Sequence, residues 1–175
     1  MNFVIYTDGA CTNNGKQNSK GGIGLYCQDQ LHVSRQIKSS KITNNVCELT
    51  AILEALLWVE THMKDIESVE ICTDSSYSIQ CVTSWIHGWK QNNWRTAANK
   101  PVKNKRLIVT IYETLQRLQP QVKISFRYVS NHDHRVPPED CQDQDWVGNY
   151  KADRLASQAC LDEQASTTEW NGSLL

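Results

Sequence analysis

The chain has 175 residues, a formal net charge of −1 and 21% charged residues; that length fits one domain burying about 70% of the surface its unfolded chain exposes. No run of about 18 apolar residues is present to cross a membrane, and the N-terminus enters a strand pattern directly, with no basic and apolar leader. The cysteines are odd in number (Cys11, Cys27, Cys47, Cys72, Cys81, Cys141 and Cys160) and form neither a CxxC pair nor a zinc-finger spacing, which excludes a disulfide scaffold and predicts reduced thiols in a cytoplasmic protein.

In chain order, Phe3-Val4-Ile5-Tyr6 is a continuous apolar run that fits a central strand, and it stops at Thr7-Asp8-Gly9, which places Asp8 at the strand's end. Asn14-Gly15 is a hairpin signal, and residues 21–27 and 32–38 read as two further strands of a meander. From 45 to 63 the apolar positions Val46, Leu49, Ile52, Leu53, Leu56 and Val59 follow helical spacing. The helix leads to a strand over 69–74, which again ends in Thr-Asp and pairs in parallel with the first by a right-handed crossover. A second helix is expected over 75–86. After it, Trp85, Trp89 and Trp94 stand among Lys90, Arg95, Lys100, Lys103, Lys105 and Arg106, and no acidic residue occurs between Asp74 and Glu113. Such a one-signed stripe is either a solvated helix face or the footprint of a polyanion. Pro101 interrupts the pattern, a helix follows over 103–118, Pro120 ends it, and 122–129 is the fifth strand. A loop over 130–148, a last helix over 149–162 and a polar tail without periodicity complete the chain. The order β-β-β-α-β-α-α-β-α belongs to an α/β fold: one five-stranded mixed sheet, its first three strands an antiparallel meander and strands 4 and 5 parallel to strand 1, flanked by helices.

Two parallel neighbours about 4.8 Å apart that both end in aspartate bring two carboxylates to the carboxyl edge of the sheet, where open α/β folds place ligands. Side by side they repel, so one is protonated or a cation sits between them. Each acid also has a local explanation. Asp8-Gly9 reads as a turn, Asp74 as the N-cap of the next helix, Glu48 as a capping-box partner of Asn45, and Asp153 as a first-turn acid facing a helix dipole. The tryptophans, likewise, could be core residues.

The segments YTDGACTNNG, TNNVCELTAILEAL, ICTDSSY, WIHGWKQNNWRTAANKPVKNK and GNYKADRLA occur in the order and context of the type 1 ribonuclease H family, which the chain resembles up to about Cys160. The resemblance implies the ribonuclease H-like fold in a catalytic domain over 1–162, with a basic handle over about 85–106, and endonucleolytic hydrolysis of the RNA strand of RNA·DNA hybrids that leaves 5′-phosphate and 3′-hydroxyl ends. It implies Asp8, Glu48, Asp74 and Asp153 as catalytic carboxylates binding two Mg2+ ions, with Mn2+ as a substitute; oxygen donors of this kind suit such hard ions. It further implies RNA-strand contacts at Cys11, Asn14 and Asn45, a DNA-phosphate pocket at Lys41, Thr43, Asn44 and Asn104, and a deoxyribose channel at Tyr77, Trp85 and Trp89. The expected partner is the hybrid itself, bound by a monomer with no membrane and no obligatory protein partner. A free-standing enzyme without an N-terminal hybrid-binding domain is expected, the alternatives being a hybrid-binding module without catalysis and a domain of reverse-transcriptase origin.

The family's histidine that assists proton transfer falls on His132 of VSNH, with His134 two residues on. His132 and Asp153 are 21 residues apart, longer than the family spacing. The extended loop of about 130–148 carries Glu139, Asp140, Asp143 and Asp145, which are expected to weaken polyanion binding at low salt or recruit cations, unless the loop is simply a solvated surface. The tail over 163–175 has no assigned role.

Overall fold

The computed structural model describes residues 1–39, 41–62, 64, 66–161 and 167–169, the last three by their backbone alone. Six strands form one mixed sheet in the order β5-β4-β1-β2-β3-β6. β1 (Asn2–Thr12), β2 (Lys20–Cys27) and β3 (Leu31–Lys38) are the antiparallel meander. β4 (Ser68–Thr73) joins β1 in parallel and β5 (Lys123–Tyr128) joins β4 in parallel, as expected. β6 (Thr167–Glu169) pairs in parallel with β3. This strand lies in the tail; three residues are too few to show an alternation in sequence. The rest of the tail and the expected ends of the first and last helices at 63 and 162 lie outside the described residues.

Alternation along the strands sorts the two faces. Ile5, Ile23, Leu25 and Ile71 point to the main core with Leu49, Ile52, Leu53 and Leu56 of α1 (Asn44–His62) and Leu107, Ile108 and Ile111 of α4 (Lys105–Leu118). Tyr6, Tyr26 and Cys72 point the other way, onto Ala152 of α5 (Gln144–Leu161). Between β4 and α4 the chain runs through α2 (Ser76–Gln80), a π-helical turn at Cys81–Trp85 and α3 (Ile86–Gln91), so the second helix continues beyond its expected end at residue 86. The seven cysteines are free thiols. No described helix is long and apolar enough to cross a membrane.

Two differences from the sequence reading matter for the site. β1 does not stop at Asp8: its parallel pairing with β4 ends at Tyr6↔Cys72, but its antiparallel pairing with β2 continues through Asp8↔Gly24 to Thr12↔Lys20. Asp8 is therefore mid-strand, yet just beyond the last residue that β4 covers. α5 starts at Gln144 instead of 149, because Asp143 Oδ1 accepts the backbone N–H groups of Asp145 at 3.0 Å and Trp146 at 3.2 Å and so caps it.

Both helices that carry acids approach the sheet at glycines. A Cβ at Gly9 would overlap the backbone of Cys47 and Glu48, and one at Gly24 would overlap the Ala152 carbonyl oxygen beside Asp153. Gly24→Ala is accordingly expected to push α5 off β2 and to destabilise the protein by about 2–4 kcal/mol, measured by urea unfolding. An unchanged midpoint would show that α5 can yield without loss.

Candidate active site

Asp8 comes from β1, Glu48 from the second turn of α1 and Asp74 from the residue after β4; one carboxylate oxygen of each lies within 4.8 Å of the others. Asp153, in the middle of α5, approaches from the opposite face and interacts with both Asp8 and Asp74. The four border an open cleft of about 490 Å³, together with Cys11, Asn44, Ser75, Tyr77, Asn131 and His134.

The tertiary arrangement removes the local explanation for each acid. Asp8 sits in a paired strand, not a turn. The cap of α2 is Ser75, whose hydroxyl accepts from Ser78 N at 3.2 Å, so Asp74 does not cap it. At the start of α1, Thr43 Oγ1 accepts from Val46 N at 3.3 Å, and Glu48 is buried instead of reaching back to a cap. Asp153 lies beyond the first turn of α5, because the helix starts nine residues before it.

What is left is a concentration of like charge, with Asp8 and Glu48 buried. Burial pushes the Asp8 carboxyl well above its usual range, and Asp74 and Asp153 add to that. Burial does the same to Glu48, reinforced by Asp8 and Asp74, and raises Asp74 as well. Glu48 Oε2 is buried without a hydrogen-bond partner. A buried acceptor left unsatisfied costs about 1–3 kcal/mol, and a cation shared by these oxygens would satisfy it. The four acids are hard oxygen donors bordering a cleft, which suits a hard cation such as Mg2+ or Mn2+.

Sequence reasoning missed two residues here. Asn149, 2% exposed, faces the Asp74 carboxylate and, with Asn131, opposes the effect of burial on it. Asn149 precedes Asp153 by four residues on one helix, so the i, i+4 spacing was the available signal. The histidines also differ from expectation. His134 lines the cleft, its Nδ1 3.3 Å from Asp153 Oδ1, whereas the His132 ring stacks on Trp146 and its Nε2 is 4.0 Å from Asp143.

Of the expected RNA-side residues, Cys11 lines the cleft, Asn14 lies at the turn before β2 and accepts from Asn44 N at 2.9 Å, and Asn45 is exposed on α1, where its neighbour Asn44 borders the cleft. On the DNA side, Tyr77, Trp85 and Trp89 form an aromatic ladder, with centroids 6.1 Å and then 5.7 Å apart. Asn104 Nδ2 donates to Tyr77 OH at 3.3 Å, and Trp85 is 43% exposed, which rules out a pure core role for it. Lys41 is exposed and Thr43 caps α1. Beyond the ladder, Lys90, Arg95, Lys100, Lys103, Lys105 and Arg106 are all exposed.

The added loop is less free than its sequence suggests. Asp145 is held by Arg127, which keeps its carboxyl below the usual range, and accepts from Tyr6 OH at 2.9 Å. Asp143 is spent as the cap of α5, so of the four acids Glu139, Asp140, Asp143 and Asp145 only the exposed Glu139 and Asp140 lack such an engagement among the described residues.

This sheet order with acids from β1, α1, the end of β4 and α5 at one edge defines a nuclease of the ribonuclease H-like fold. A model of the RNase H family matches residues 1–161, and the chain belongs to the ribonuclease H family, whose members hydrolyse the RNA strand of RNA·DNA hybrids. Ribonuclease H of Clostridium botulinum (strain Hall) is 36% identical over 163 residues, covering 91% of this chain and 95% of its own. Human ribonuclease H1 is 34% identical over 155 residues, which are 87% of this chain and 48% of the human one. Among solved structures, LC9-RNase H1, described as a type 1 RNase H with the type 2 active-site motif, has a TM-score of 0.65 at 23% identity, covering 91% of this chain and 72% of that one.

Proposed function

We propose that this protein cuts the RNA strand of RNA·DNA hybrids internally, leaving 5′-phosphate and 3′-hydroxyl ends, with Asp8, Glu48, Asp74 and Asp153 holding two Mg2+ ions. The observation that carries this reading is the convergence of buried acids on one cleft, with Glu48 Oε2 unpaired. When bound, such ions would activate water for in-line attack and stabilise the departing oxygen. The chain's own groups do the rest. Asn149 and Asn131 orient Asp74, and His134, exposed at the rim and in contact with Asp153, takes the proton-transfer role that the sequence assigned to His132.

The RNA strand lies along Cys11, Asn14 and Asn45, where short polar groups and backbone can meet 2′-hydroxyls. The DNA strand lies across Lys41, Thr43, Asn44 and Asn104 and along Tyr77, Trp85 and Trp89, whose flat surface accepts a deoxyribose. The exposed cations of residues 90–106 extend the phosphate contact, so Lys100→Gln with Lys103→Gln is expected to lower the slope of log affinity against log salt by roughly 1–2. The opposite change at the loop, Glu139→Gln with Asp140→Asn, is expected to tighten hybrid binding about twofold at low salt and to have no effect once salt screens the charges; equal affinities at low salt would sink the idea that the loop repels hybrid.

The decisive experiment offers labelled RNA·DNA, RNA·RNA and DNA·DNA duplexes to the protein in Mg2+ and identifies the product ends. Internal cuts confined to the RNA of the hybrid, with 5′-phosphates, are expected. Tight, salt-sensitive hybrid binding without cleavage would leave a binding module instead.

A further inference from the structure

We propose that Trp146 is a positioning residue, which clamps the turn at 132–134 so that His134, and not His132, faces the carboxylates. The inference rests on the reading of His134 given above. His132, Asp133 and His134 are consecutive left-handed residues, with φ of 47°, 54° and 57°. For residues with a Cβ this backbone is unfavourable, so it persists only where the surroundings hold it.

The restraint comes from the start of α5. The Trp146 ring stacks on His132 with centroids 4.4 Å apart and planes 14° from parallel. Its indole N–H donates to the Arg135 carbonyl at 3.1 Å, and the Arg135 guanidinium lies 5.8 Å from the same ring. Arg135 Nε in turn donates to the His132 carbonyl at 3.1 Å, which closes the segment on itself. The indole thus grips the turn on both sides of His134. Asn131 secures the inner edge, its side chain accepting from Asp133 N at 3.1 Å and its carbonyl from His134 N at 2.8 Å.

Trp146 is itself anchored to the sheet. Asp143 accepts its backbone N–H, and the adjacent Asp145 is tied to Arg127 of β5 and Tyr6 of β1. The clamp therefore transmits the position of the sheet to the turn. Its consequence is a choice between two histidines two residues apart: one is taken up by the indole, and the other is left to meet Asp153. The lengthened loop, on this view, supplies the clamp.

The test compares hybrid cleavage by Trp146→Ala, Trp146→Phe, Arg135→Ala, His134→Ala, His132→Ala and the double variant Trp146→Ala with His134→Ala, with circular dichroism to confirm folding. Trp146→Ala is expected to lower kcat roughly tenfold to a hundredfold, at or below the low end of what a general acid–base group contributes, because the carrier is displaced and not removed, with KM changed by less than about twofold. Trp146→Phe, which keeps a ring for the stack, should recover most of it, and Arg135→Ala should give a smaller loss in the same direction. In the His134→Ala background, Trp146→Ala should do nothing more. The His132 ring protons should lose their ring-current shift in the NMR spectrum of Trp146→Ala. Loss in His134→Ala without loss in Trp146→Ala overturns the clamp alone, as does a Trp146→Ala effect that persists undiminished without His134. Loss in His132→Ala but not in His134→Ala overturns the histidine assignment, and the clamp's role with it.

Discussion

Asp8→Asn is expected to reduce hybrid cleavage by at least about 10³-fold, which corresponds to about 4 kcal/mol of transition-state stabilisation, while making the metal-free protein more stable. The two effects have one cause. Asp8 is 5% exposed and stands between Glu48, Asp74 and Asp153, so it is the acid that most of the cluster's repulsion passes through. An asparagine keeps the shape and one acceptor oxygen, removes the charge, and takes away an oxygen donor that a cation needs. A gain of about 1–2 kcal/mol in EDTA is expected, of the kind found where function maintains an unfavourable cluster, and it should appear as a rise of roughly 2–8 °C in melting temperature for a chain of this size. Steady-state cleavage and melting curves on the same preparation check both. Lower stability with lost activity would mean that Asp8 serves the fold.

The metal-free protein is expected to lose stability as pH rises, and Mg2+ is expected to reverse that loss. Asp8, Glu48 and Asp74 all hold their protons more tightly in the folded chain than in the unfolded one. Above the ordinary carboxylate range the unfolded chain has already released these protons and the folded chain has not, so the folded state binds more of them and stability falls with pH until the raised folded values are passed. Asp145 acts in the other direction. Its carboxyl is held low by Arg127, so its contribution is present above the ordinary value and is lost only in acid, below about pH 4. The windows do not overlap. A cation bound by the ionised acids favours the native state, by about 2.7 kcal/mol at a hundredfold excess over its dissociation constant. Melting curves from pH 5 to 8 in EDTA and in Mg2+ should therefore diverge as pH rises. A metal-free protein that gains stability over this range would contradict the cluster described here.

Much of the sheet was legible in the sequence, because the core strands and α1 bury what their periodicity says they bury. Leu49, Ile52, Leu53 and Leu56 point where the helical spacing directs them, and the crossover from β1 through α1 to β4 has the expected parallel pairing. Boundaries were less legible where a neighbour decided them. β1 continues past Asp8 because β2 offers hydrogen-bond partners there, and α5 begins early because Asp143 caps it. The short β6 has no pattern of its own and exists through its pairing with β3.

The acids illustrate the division most clearly. Residue type and order, read from the chain alone, marked Asp8, Glu48, Asp74 and Asp153 and the family to which they belong, because motif spacing is a property of the sequence. Each acid had an equally good local explanation, and only the folded chain removed these, by giving the caps to Thr43 and Ser75 and placing Asp153 well inside its helix. The same holds for His132 and His134. Two histidines in one loop cannot be ranked by spacing, since the direction of each ring depends on a backbone turn held by an indole on another element. Chemistry is written along the chain, whereas convergence, burial and direction come from contacts between distant segments, and those contacts exist only once the sheet has brought its helices together.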